Sequence, residues 1–367
     1  LGGRPRSNSV RLATRGSSGH GVYHINSWIL GGEKVHGNVI LCVAWHPTIR
    51  NRFATGCRDH GVRILQITET CKDRWLHPPT CNDEKLDADQ IYRIDHQGVI
   101  QCLSFRPDGA RLATGSPDGL FVFWSTGAVE MTASGDVTSI SWGRNHDIVA
   151  VVDKQSVKVL DTASGGAQAT EIRNFPVADG VFAAVWHPFA PQEVICGDAK
   201  FARARFLRVN AGTHMRTIDT GGVLTCLRFR KQQNDRAPPV FAATSFGDMA
   251  TRVVEIGDRH PRVVRRFAHR SNVRCCEFSH KGHFLASGED ETLENDELAA
   301  YLRVFHLRTG KQVFSIRHSA EIRGITWHKK WLVTVSINGD CQVTQCSHED
   351  DTLTDTMAGT VVYNKRL

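Results

Sequence analysis

Short apolar runs alternate with turn residues along most of the chain. Seven of these runs end in a bulky aromatic residue, namely Trp45, Phe105, Trp142, Trp186, Phe229, Phe278 and Trp327. Most intervals between them are close to the ~40 to 50 residues that are typical of β-propellers and other repeat arrays. Because one such repeat buries its apolar face only against its neighbours, the pattern predicts a ring of stacked units rather than a domain around one cleft.

The second repeat shows the expected strands best. Residues 99–105 alternate between apolar and polar, 107–109 (PDG) and 117–119 (PDG) are turn sequences, and short apolar strands follow each turn. A fourth strand precedes the next repeat, as at 91–94, 263–267 and 313–316. No stretch keeps a helical apolar period. The sequence therefore predicts an all-β, seven-bladed β-propeller of four-stranded antiparallel blades, which leaves no long unpaired sheet edge.

Four repeats carry further polar positions in a fixed order. These are a histidine before the aromatic, a Ser or Thr in the second strand and an aspartate after it: His36, Thr55 and Asp59; His96, Thr114 and Asp118; His269, Ser287 and Asp290; His318, Thr334 and Asp340. Trp124 ends the third strand of the second repeat. This combination resembles the WD-repeat family over residues 36–346. The resemblance implies blades that each hold a His, Ser/Thr, Asp and Trp hydrogen-bonded in series, and a protein that holds other proteins together. Repeats 3, 4 and 5 depart from it, with Ala133, Val177 and Thr220 at the histidine position.

One domain is expected from residue 22 to residue 367, with insertions near 68–90, 231–239 and 289–300. Residues 1–21 are predicted to be a flexible basic arm. The ring requires a closing strand, for which 22–30 (VYHINSWIL) is the natural donor and 359–365 (GTVVYNK) the rival. The amino-terminal Arg- and Ser-rich composition also fits a kinase target at 6–9 or part of a mitochondrial presequence.

The histidines and cysteines do not indicate an enzyme. Eighteen histidines and 11 cysteines are present, yet no CxxC pair, phosphate-binding loop or nucleophile elbow occurs. His46, His187 and His328 follow core aromatics and are expected to be partly exposed. Cys71, His77 and Cys81 are the best candidates for a zinc loop, although a surface loop is the favoured interpretation. We predict no catalytic residue, no metal, no cofactor and no small-molecule substrate.

Charge is unevenly distributed over a net +7. Residues 259–274 hold six arginines and no acid, whereas 289–297 hold six acids. The two runs either neutralise each other or provide a partner-binding band, in which the planar guanidinium groups grip acidic groups or phosphates. The candidate residues of this band are Arg262, Arg265, Arg266, Arg270, Arg203 and Arg205.

The sequence thus predicts a non-catalytic interaction scaffold in a multi-subunit assembly, with an RNA-protein particle component that contacts phosphates as the alternative. The chain has no apolar run of the ~20 residues that a membrane span needs, and no membrane partner is expected. Cysteines within strands favour a reducing intracellular compartment. We expect the cytoplasm, with the mitochondrion and the nucleus as alternatives.

Overall fold

The computed structural model describes most of the chain. The described residues are 12–14, 23–30, 36, 38–69, 86–124, 129–133, 135–143, 147–163, 169–178, 180–198, 200–231, 237–257, 260–290, 292–294 and 297–348. Among them, no helix is long and apolar enough to cross a membrane.

The described strands form seven antiparallel sheets, numbered here along the chain, with strands a to d from the inside outwards. Sheet 1 has β3 (Ile40–Trp45), β4 (Arg52–Cys57), β5 (Gly61–Glu69) and β6 (Leu86–Asp95). Sheet 2 has β7 (Cys102–Phe105), β8 (Arg111–Ser116), β9 (Gly119–Trp124) and β10 (Val129–Ala133). Sheet 3 has β11 (Ser139–Trp142), β12 (Ile148–Val152), β13 (Ser156–Asp161) and β14 (Thr170–Pro176). Sheet 4 has β15 (Val181–Trp186), β16 (Glu193–Asp198), β17 (Arg203–Arg208) and β18 (Thr213–Asp219).

The last three sheets follow the same order with two additions. Sheet 5 has β19 (Val223–Phe229), β20 (Val240–Phe246), β21 (Ala250–Ile256) and β22 (Pro261–Ala268). Sheet 6 has β23 (Val273–Phe278), β24 (Phe284–Glu289), β26 (Glu297–His306) and β27 (Gln312–His318), and the short β25 (Thr292–Glu294) pairs with the start of β26. Sheet 7 has β28 (Ile322–His328), β29 (Trp331–Ser336), β30 (Cys341–His348) and β2 (Tyr23–Leu30), with β1 (Leu12–Thr14) beside β2. The predicted all-β propeller of four-stranded antiparallel blades is confirmed.

Glycine on strand b allows neighbouring sheets to approach closely. A Cβ atom on Gly56 would lie 2.5 Å from Cγ2 of Ile100, and one on Gly115 would lie 2.4 Å from Cγ1 of Val137. Ile100 and Val137 precede strand a of the next sheet. The glycines of the FATG and LATG segments are therefore positions at which only hydrogen fits beneath the following sheet.

Burial falls from strand b to strand d. Strand β4 is almost entirely buried because apolar side chains cover both of its faces, whereas β14 and β22 on the outside are largely exposed. The cores lie between neighbouring sheets, as in the cluster of Trp45 and Phe53 with Val333 and Val343. The aromatic residue of each repeat thus packs between sheets, as a repeat fold requires.

The amino-terminal strand completes sheet 7. Strand β2 pairs with β30 in antiparallel register, from Tyr23 opposite His348 to Leu30 opposite Cys341. The preferred donor of the closing strand therefore lies where the sequence predicts it, and the rival segment 359–365 lies outside the described residues. Within the predicted arm, only β1 is described. The predicted insertions at 68–90 and 231–239 are described only in part, and the insertion at 289–300 extends sheet 6 as the β25–β26 hairpin.

Candidate functional site

The antiparallel strand order gives the propeller two turn faces. Turns from strand b to c, and from d to the next a, lie on one face, here called the bc face. Turns from a to b and from c to d lie on the opposite face, here called the ab face. The polar residues singled out in the sequence lie on both faces, with different partners.

A buried hydrogen-bonded series links the turns of sheet 1 on the bc face. Nε2 of His36 lies 2.8 Å from Oγ1 of Thr55, and Nδ1 lies 3.1 Å from Oδ2 of Asp59. Arg63 on strand c donates to Asp59, with 2.9 Å between Nη1 and Oδ2. The predicted order of His36, Thr55 and Asp59 is thus present as a continuous network.

Sheet 6 builds its network with a different carboxylate from the one predicted. Nδ1 of His269 lies 2.9 Å from Oε1 of Glu289, and Arg303 donates to the same oxygen. Asp290 instead accepts from Nε of Arg274 at 2.9 Å. Glu289 still ends strand b and its longer side chain reaches His269, so the carboxylate lies one residue before the predicted position.

Ser287 joins the sheet 6 network through a neighbouring sheet. Oγ1 of Thr251 on strand c of sheet 5 lies 3.0 Å from Nε2 of His269 and donates to Oγ of Ser287 at 3.1 Å. The network therefore also ties sheet 5 to sheet 6.

The series in sheets 2 and 7 are arranged less uniformly. Oγ1 of Thr114 lies 3.0 Å from Nε2 of His96, and Asp118 accepts from Ser116. Oγ1 of Thr334 lies 3.5 Å from Nε2 of His318. Asp340 accepts from Oγ of Ser319 at 3.1 Å and from Nδ2 of Asn338 at 2.7 Å. The side chain of Trp124 is not among the described ones.

A basic residue of strand c pairs with an acid at the b–c turn in five sheets, a pattern that the sequence interpretation missed. The pairs are Arg63 with Asp59, Lys158 with Asp153, Arg205 with Asp198, Arg252 with Asp248 and Arg303 with Glu289. All five basic residues occupy one row of the sheet register. In four of these pairs the Arg or Lys follows the acid by four to seven residues, which was the available sequence signal.

Burial and hydrogen bonding fix the charge states of these networks. Burial lowers the pKa of His36 to about 4 and that of His318 to about 4, so both are neutral at pH 7. Burial alone would raise the pKa of Glu289, but hydrogen bonds from His269 and Arg303 outweigh it and lower that pKa. Each of these groups is therefore held in one protonation state by its neighbours.

His36, Cys57 and Asp59 also lie close enough together to suggest a metal site, with ligand atoms within 4.8 Å of one another. Both ring nitrogens of His36 are, however, within hydrogen-bonding distance of Thr55 or Asp59. Burial raises the pKa of the Cys57 thiol to about 12, whereas a metal ligand must be a thiolate. We assign this group to the hydrogen-bonded network. The other zinc candidates, Cys71, His77 and Cys81, lie outside the described residues.

The histidines that follow core aromatics are buried, in contrast to the predicted partial exposure of His46, His187 and His328. Nδ1 of His46 accepts from the backbone of Ile49 at 3.0 Å, and Nδ1 of His187 accepts from Ala190 at 2.8 Å. These bonds stabilise the a–b turns on the ab face.

The same three rings also pack against the next sheet. The ring centroid of His46 lies 4.9 Å from that of Phe105, the centroid of His187 lies 5.5 Å from that of Phe229, and the centroid of His328 lies 5.8 Å from that of Trp45. These histidines are buried because they fill the space between neighbouring sheets.

The candidate partner-binding arginines have different local partners. Arg262 pairs with Glu255 at 2.7 Å, and Arg266 donates to the carbonyl oxygen of Asp248 at 3.2 Å. Arg265 donates to the carbonyl oxygens of Leu307 and Arg308 in sheet 6, at 3.3 and 2.7 Å. Arg265 therefore links two sheets.

Arg203 and Arg270 are exposed, and Arg203 lies 6.0 Å from the ring centroid of Phe201. Arg205 is held by Asp198, as described above. The structure thus brings Arg262, Arg265 and Arg266 together on β22 of sheet 5 and places Arg203 and Arg205 on β17 of the neighbouring sheet 4.

Most of the exposed large apolar side chains lie on the bc face of sheets 4, 5 and 6, and this set is here called the apolar cluster. They are Phe182, Phe201, Phe246, Met249, Leu293 and Leu298. Leu293 and Leu298 lie opposite each other across the β25–β26 hairpin and are 70% and 58% exposed. The guanidinium carbon of Arg274 lies 5.3 Å from the ring centroid of Phe246. Only Ile49, Ile172 and Val263 among the described large apolar residues are similarly exposed elsewhere.

Comparison with known proteins gives a family and two partial relatives. The sequence profile of "WD domain, G-beta repeat" matches residues 89–125 and 261–294. A guanine nucleotide-binding protein subunit beta-like protein of Encephalitozoon cuniculi is 26% identical over 139 residues, which cover 36% of this chain and 42% of that protein. A chromatin assembly factor 1 subunit FAS2 homolog of Oryza sativa subsp. japonica is 25% identical over 162 residues, covering 41% of this chain and 30% of that protein. The aligned regions span less than half the length of either relative.

Proposed function

The chain is a WD-repeat protein, and from this premise we propose that it acts as a non-catalytic protein-interaction scaffold in a larger multi-subunit assembly. The exposed apolar cluster on the bc face carries the proposal. Monomeric proteins rarely expose large contiguous apolar patches, and such patches mark interaction sites. We propose that a partner protein covers Phe201, Phe246 and Met249 together with Leu293 and Leu298.

The titratable groups of the bc face support a non-catalytic role. An acid or base in catalysis must be able to exchange a proton with a substrate near the working pH. Asp59 and Glu289 accept hydrogen bonds from basic partners within the fold, and His36 and His269 are fully buried side chains. These groups therefore stabilise turns, and the face offers a partner apolar contact area instead.

We propose that the propeller has seven blades. Strand a of each sheet contacts strand a of the next, and β28 of sheet 7 contacts β3 of sheet 1. Each neighbouring pair shares an apolar cluster, including sheets 7 and 1. A closed ring of this kind satisfies every inner strand without an exposed edge.

The names of the two relatives support a role in a multi-subunit assembly. One is named as a homolog of a chromatin assembly factor 1 subunit, and the other as a protein that is like the beta subunit of a guanine nucleotide-binding protein. Both names refer to subunits of larger proteins. The cytoplasm as compartment, the nucleus as its alternative, and RNA contact through the arginine band stay predictions. Steep loss of binding with added salt would favour RNA over a protein partner.

A matched pair of variants tests the scaffold proposal. Phe201→Ser, Phe246→Ser and Met249→Asn remove apolar area from the bc face, and Asn suits the positive φ of 50° at Met249. Ile49→Ser, Ile172→Ser and Val263→Ser remove exposed apolar area elsewhere. We expect quantitative co-purification from native extract to lose a defined set of proteins with the first variant only. Equal recovery with both variants would contradict an interaction surface on this face.

A further inference from the structure

Four inner strands carry a cysteine that faces the following sheet. Each Sγ atom lies 3.6 to 3.9 Å from a carbonyl oxygen at or just before the next inner strand, and the pairs are Cys42 with Ile100, Cys102 with Val137, Cys226 with Cys276 and Cys275 with Ile322. A thiol is a small hydrophobe and a weak donor, so a cysteine in this position ordinarily fills space between two sheets. The partner of Cys226 is different because it is itself a cysteine.

Cys226 and Cys276 approach each other from opposite sides of one interface. Cys226 lies on β19 and Cys276 on β23, and both belong to the apolar core between sheets 5 and 6, together with Val253 and Phe305. The neighbouring Cys275 belongs to the core between sheets 6 and 7 instead. The side chains of Cys226 and Cys276 therefore point towards each other, whereas that of Cys275 points away.

The other three cysteines provide internal controls. On the inner strand that each one faces, Cys42 shares its interface with Leu103, Cys102 with Ile140 and Cys275 with Ile325. Cys346 also packs against the core that contains Cys275, but it lies on strand c of sheet 7, two strands further out. A disulfide requires close Cα atoms and facing Cβ atoms. Among the described residues, Cys226 is therefore the one cysteine of these four with a suitable partner.

Contacts on either side hold the two strands in register. Oγ1 of Thr225 donates to the carbonyl oxygen of Val273 at 2.7 Å, and Nε of Arg228 lies 3.4 Å from Oε2 of Glu277. The side chain of Arg228 is 45% exposed, and Cys226 itself retains 7% exposure. The thiol pair thus lies between two fixed contacts, next to a side chain that is in contact with solvent.

The two thiols differ in acidity. A hydrogen bond from the Cys276 thiol lowers the pKa of Cys226 against the effect of burial, and the charge of Arg228 acts in the same direction. The same hydrogen bond, together with burial, raises the pKa of Cys276. Because the thiolate is the nucleophilic form of cysteine, Cys226 is suited to react first with an oxidant and Cys276 to react second.

We propose that Cys226 and Cys276 form a reversible disulfide between sheets 5 and 6 when hydrogen peroxide oxidises the protein. The thiolate of Cys226 attacks one oxygen, so that an S–O bond forms, the O–O bond breaks, and the released hydroxide takes up a proton to become water. The sulfur of Cys276 then attacks the sulfenic sulfur, the S–S bond forms, and the S–O bond breaks with loss of hydroxide, which takes the proton of Cys276. Two thiols and one peroxide thus give one disulfide and two water molecules, and an added dithiol reverses the reaction by exchange.

Such a bond suits a redox response rather than permanent stabilisation. The described cysteines are free thiols in the structure, and disulfides in reducing compartments are usually transient. Sheets 5 and 6 both contribute to the apolar cluster, so oxidation fixes two of its three parts against each other. Formation of the disulfide itself does not depend on the scaffold proposal.

Mass spectrometry of the full chain tests the bond. The reduced protein is treated with hydrogen peroxide, either folded or in urea, its remaining thiols are blocked with N-ethylmaleimide, and the monomer is digested with trypsin. We expect the folded sample to contain residues 217–228 linked to residues 275–281 with loss of two hydrogen atoms, and dithiothreitol to separate them. Cys42 and Cys102 should be recovered with N-ethylmaleimide attached. An unlinked Cys226 in the folded protein, or equal linkage of Cys226 to several cysteines in both samples, would overturn the proposal.

Two neighbouring variants identify the partner, because residues 275–281 contain both Cys275 and Cys276. Cys275→Ser should keep the link to Cys226. Cys276→Ser should lose the link and leave on Cys226 a sulfenic acid that dimedone traps, and Cys276→Ala takes its place if the serine prevents folding. A link that persists without Cys276 would assign the bond to Cys275 and contradict the proposal.

Discussion

Gly56 lies directly beneath Ile100. A Cβ atom added at Gly56 would lie 2.5 Å from Cγ2 of Ile100 and 2.6 Å from Sγ of Cys42. One glycine thus allows strand b of sheet 1 to approach the residue that leads into sheet 2. The contact recurs between Gly288 and Ile322, where the added Cβ would lie 2.9 Å from Cγ2. Both contacts are rigid, because Ile100 and Ile322 are completely buried.

Gly56→Ala should therefore destabilise the protein. Overpacking of a dense interior typically costs roughly 1 to 3 kcal/mol. Gly257→Ala is a suitable control because its nearest atom, the carbonyl oxygen of His260, lies 3.3 Å away and φ is not in the left-handed region. Chemical denaturation should show a clear loss for Gly56→Ala and a much smaller change for the control. Equal stabilities would mean that the sheets separate easily at this position.

The carboxylate of sheet 6 gives a second prediction. Glu289→Ala should remove the shared acceptor of His269 and Arg303 and leave a buried cation without its partner. Breaking a buried pair in this way costs about 3 to 5 kcal/mol. Asp290→Ala removes only the more exposed contact to Arg274 and should cost about 1 kcal/mol or less. Thermal and urea unfolding of the two variants measures the difference in stability. A larger loss of stability for Asp290→Ala would mean that Asp290, as the sequence predicts, is the carboxylate of this network.

The free energy of unfolding should decrease as the pH falls from neutral to mildly acidic values, because protonation of buried histidines favours the unfolded chain. His36 and His318 have a folded pKa of about 4, against an ordinary value of 6.5. The unfolded chain therefore binds protons first, so their contribution is complete above pH 6.5 and is lost as the pH falls towards 4. Each contributes up to about 3 kcal/mol, since one pKa unit corresponds to about 1.4 kcal/mol.

His318→Asn provides the check on this pH dependence. The variant should be less stable at pH 7 because packing is lost, yet its free energy of unfolding should fall less steeply between pH 6.5 and 4.5 than that of the parent. Parallel pH profiles would show that His318 does not titrate in this range.

Truncation tests the closure of the ring. Removal of residues 1–20 leaves β2 in place, whereas removal of residues 1–30 exposes β30 as an edge strand. We expect the first truncation to retain most of the stability and the second to unfold at a lower temperature and to aggregate. Light scattering during thermal unfolding distinguishes the two. Similar behaviour would indicate that 359–365 supplies the closing strand.

Much of the fold follows from sequence periodicity, because every blade must bury the same kinds of apolar residue against its neighbours. The aromatic at Trp45, the Ser or Thr of strand b and the turn glycines each meet a local requirement that is visible in the residues themselves. The positions of His46 and Glu289 could not be predicted in the same way. His46 is buried by Phe105 of another sheet, and Glu289 takes the place of Asp290 because a longer side chain reaches from one residue earlier.

The candidate interaction surfaces were still harder to predict. Exposure of Phe201 and Leu293 depends on where a turn or hairpin points after the ring has closed, and apolar residues in a sequence usually indicate burial. The exposed apolar residues of the bc face come from three different sheets, and the sequence of one chain does not show which turns lie side by side in the folded ring.

Pairing of β2 with β30 also determines when sheet 7 can fold during synthesis. Strand β2 emerges from the ribosome before any of the other six sheets, but its partner β30 emerges only after all of them. Since domains form progressively as the chain grows, Tyr23–Leu30 must wait for its partner β30 while the other six sheets are made, with only the three-residue β1 beside it. The nascent chain is consequently most vulnerable to intermolecular strand pairing just before its last strand appears, and premature termination there would release a nearly complete but open ring.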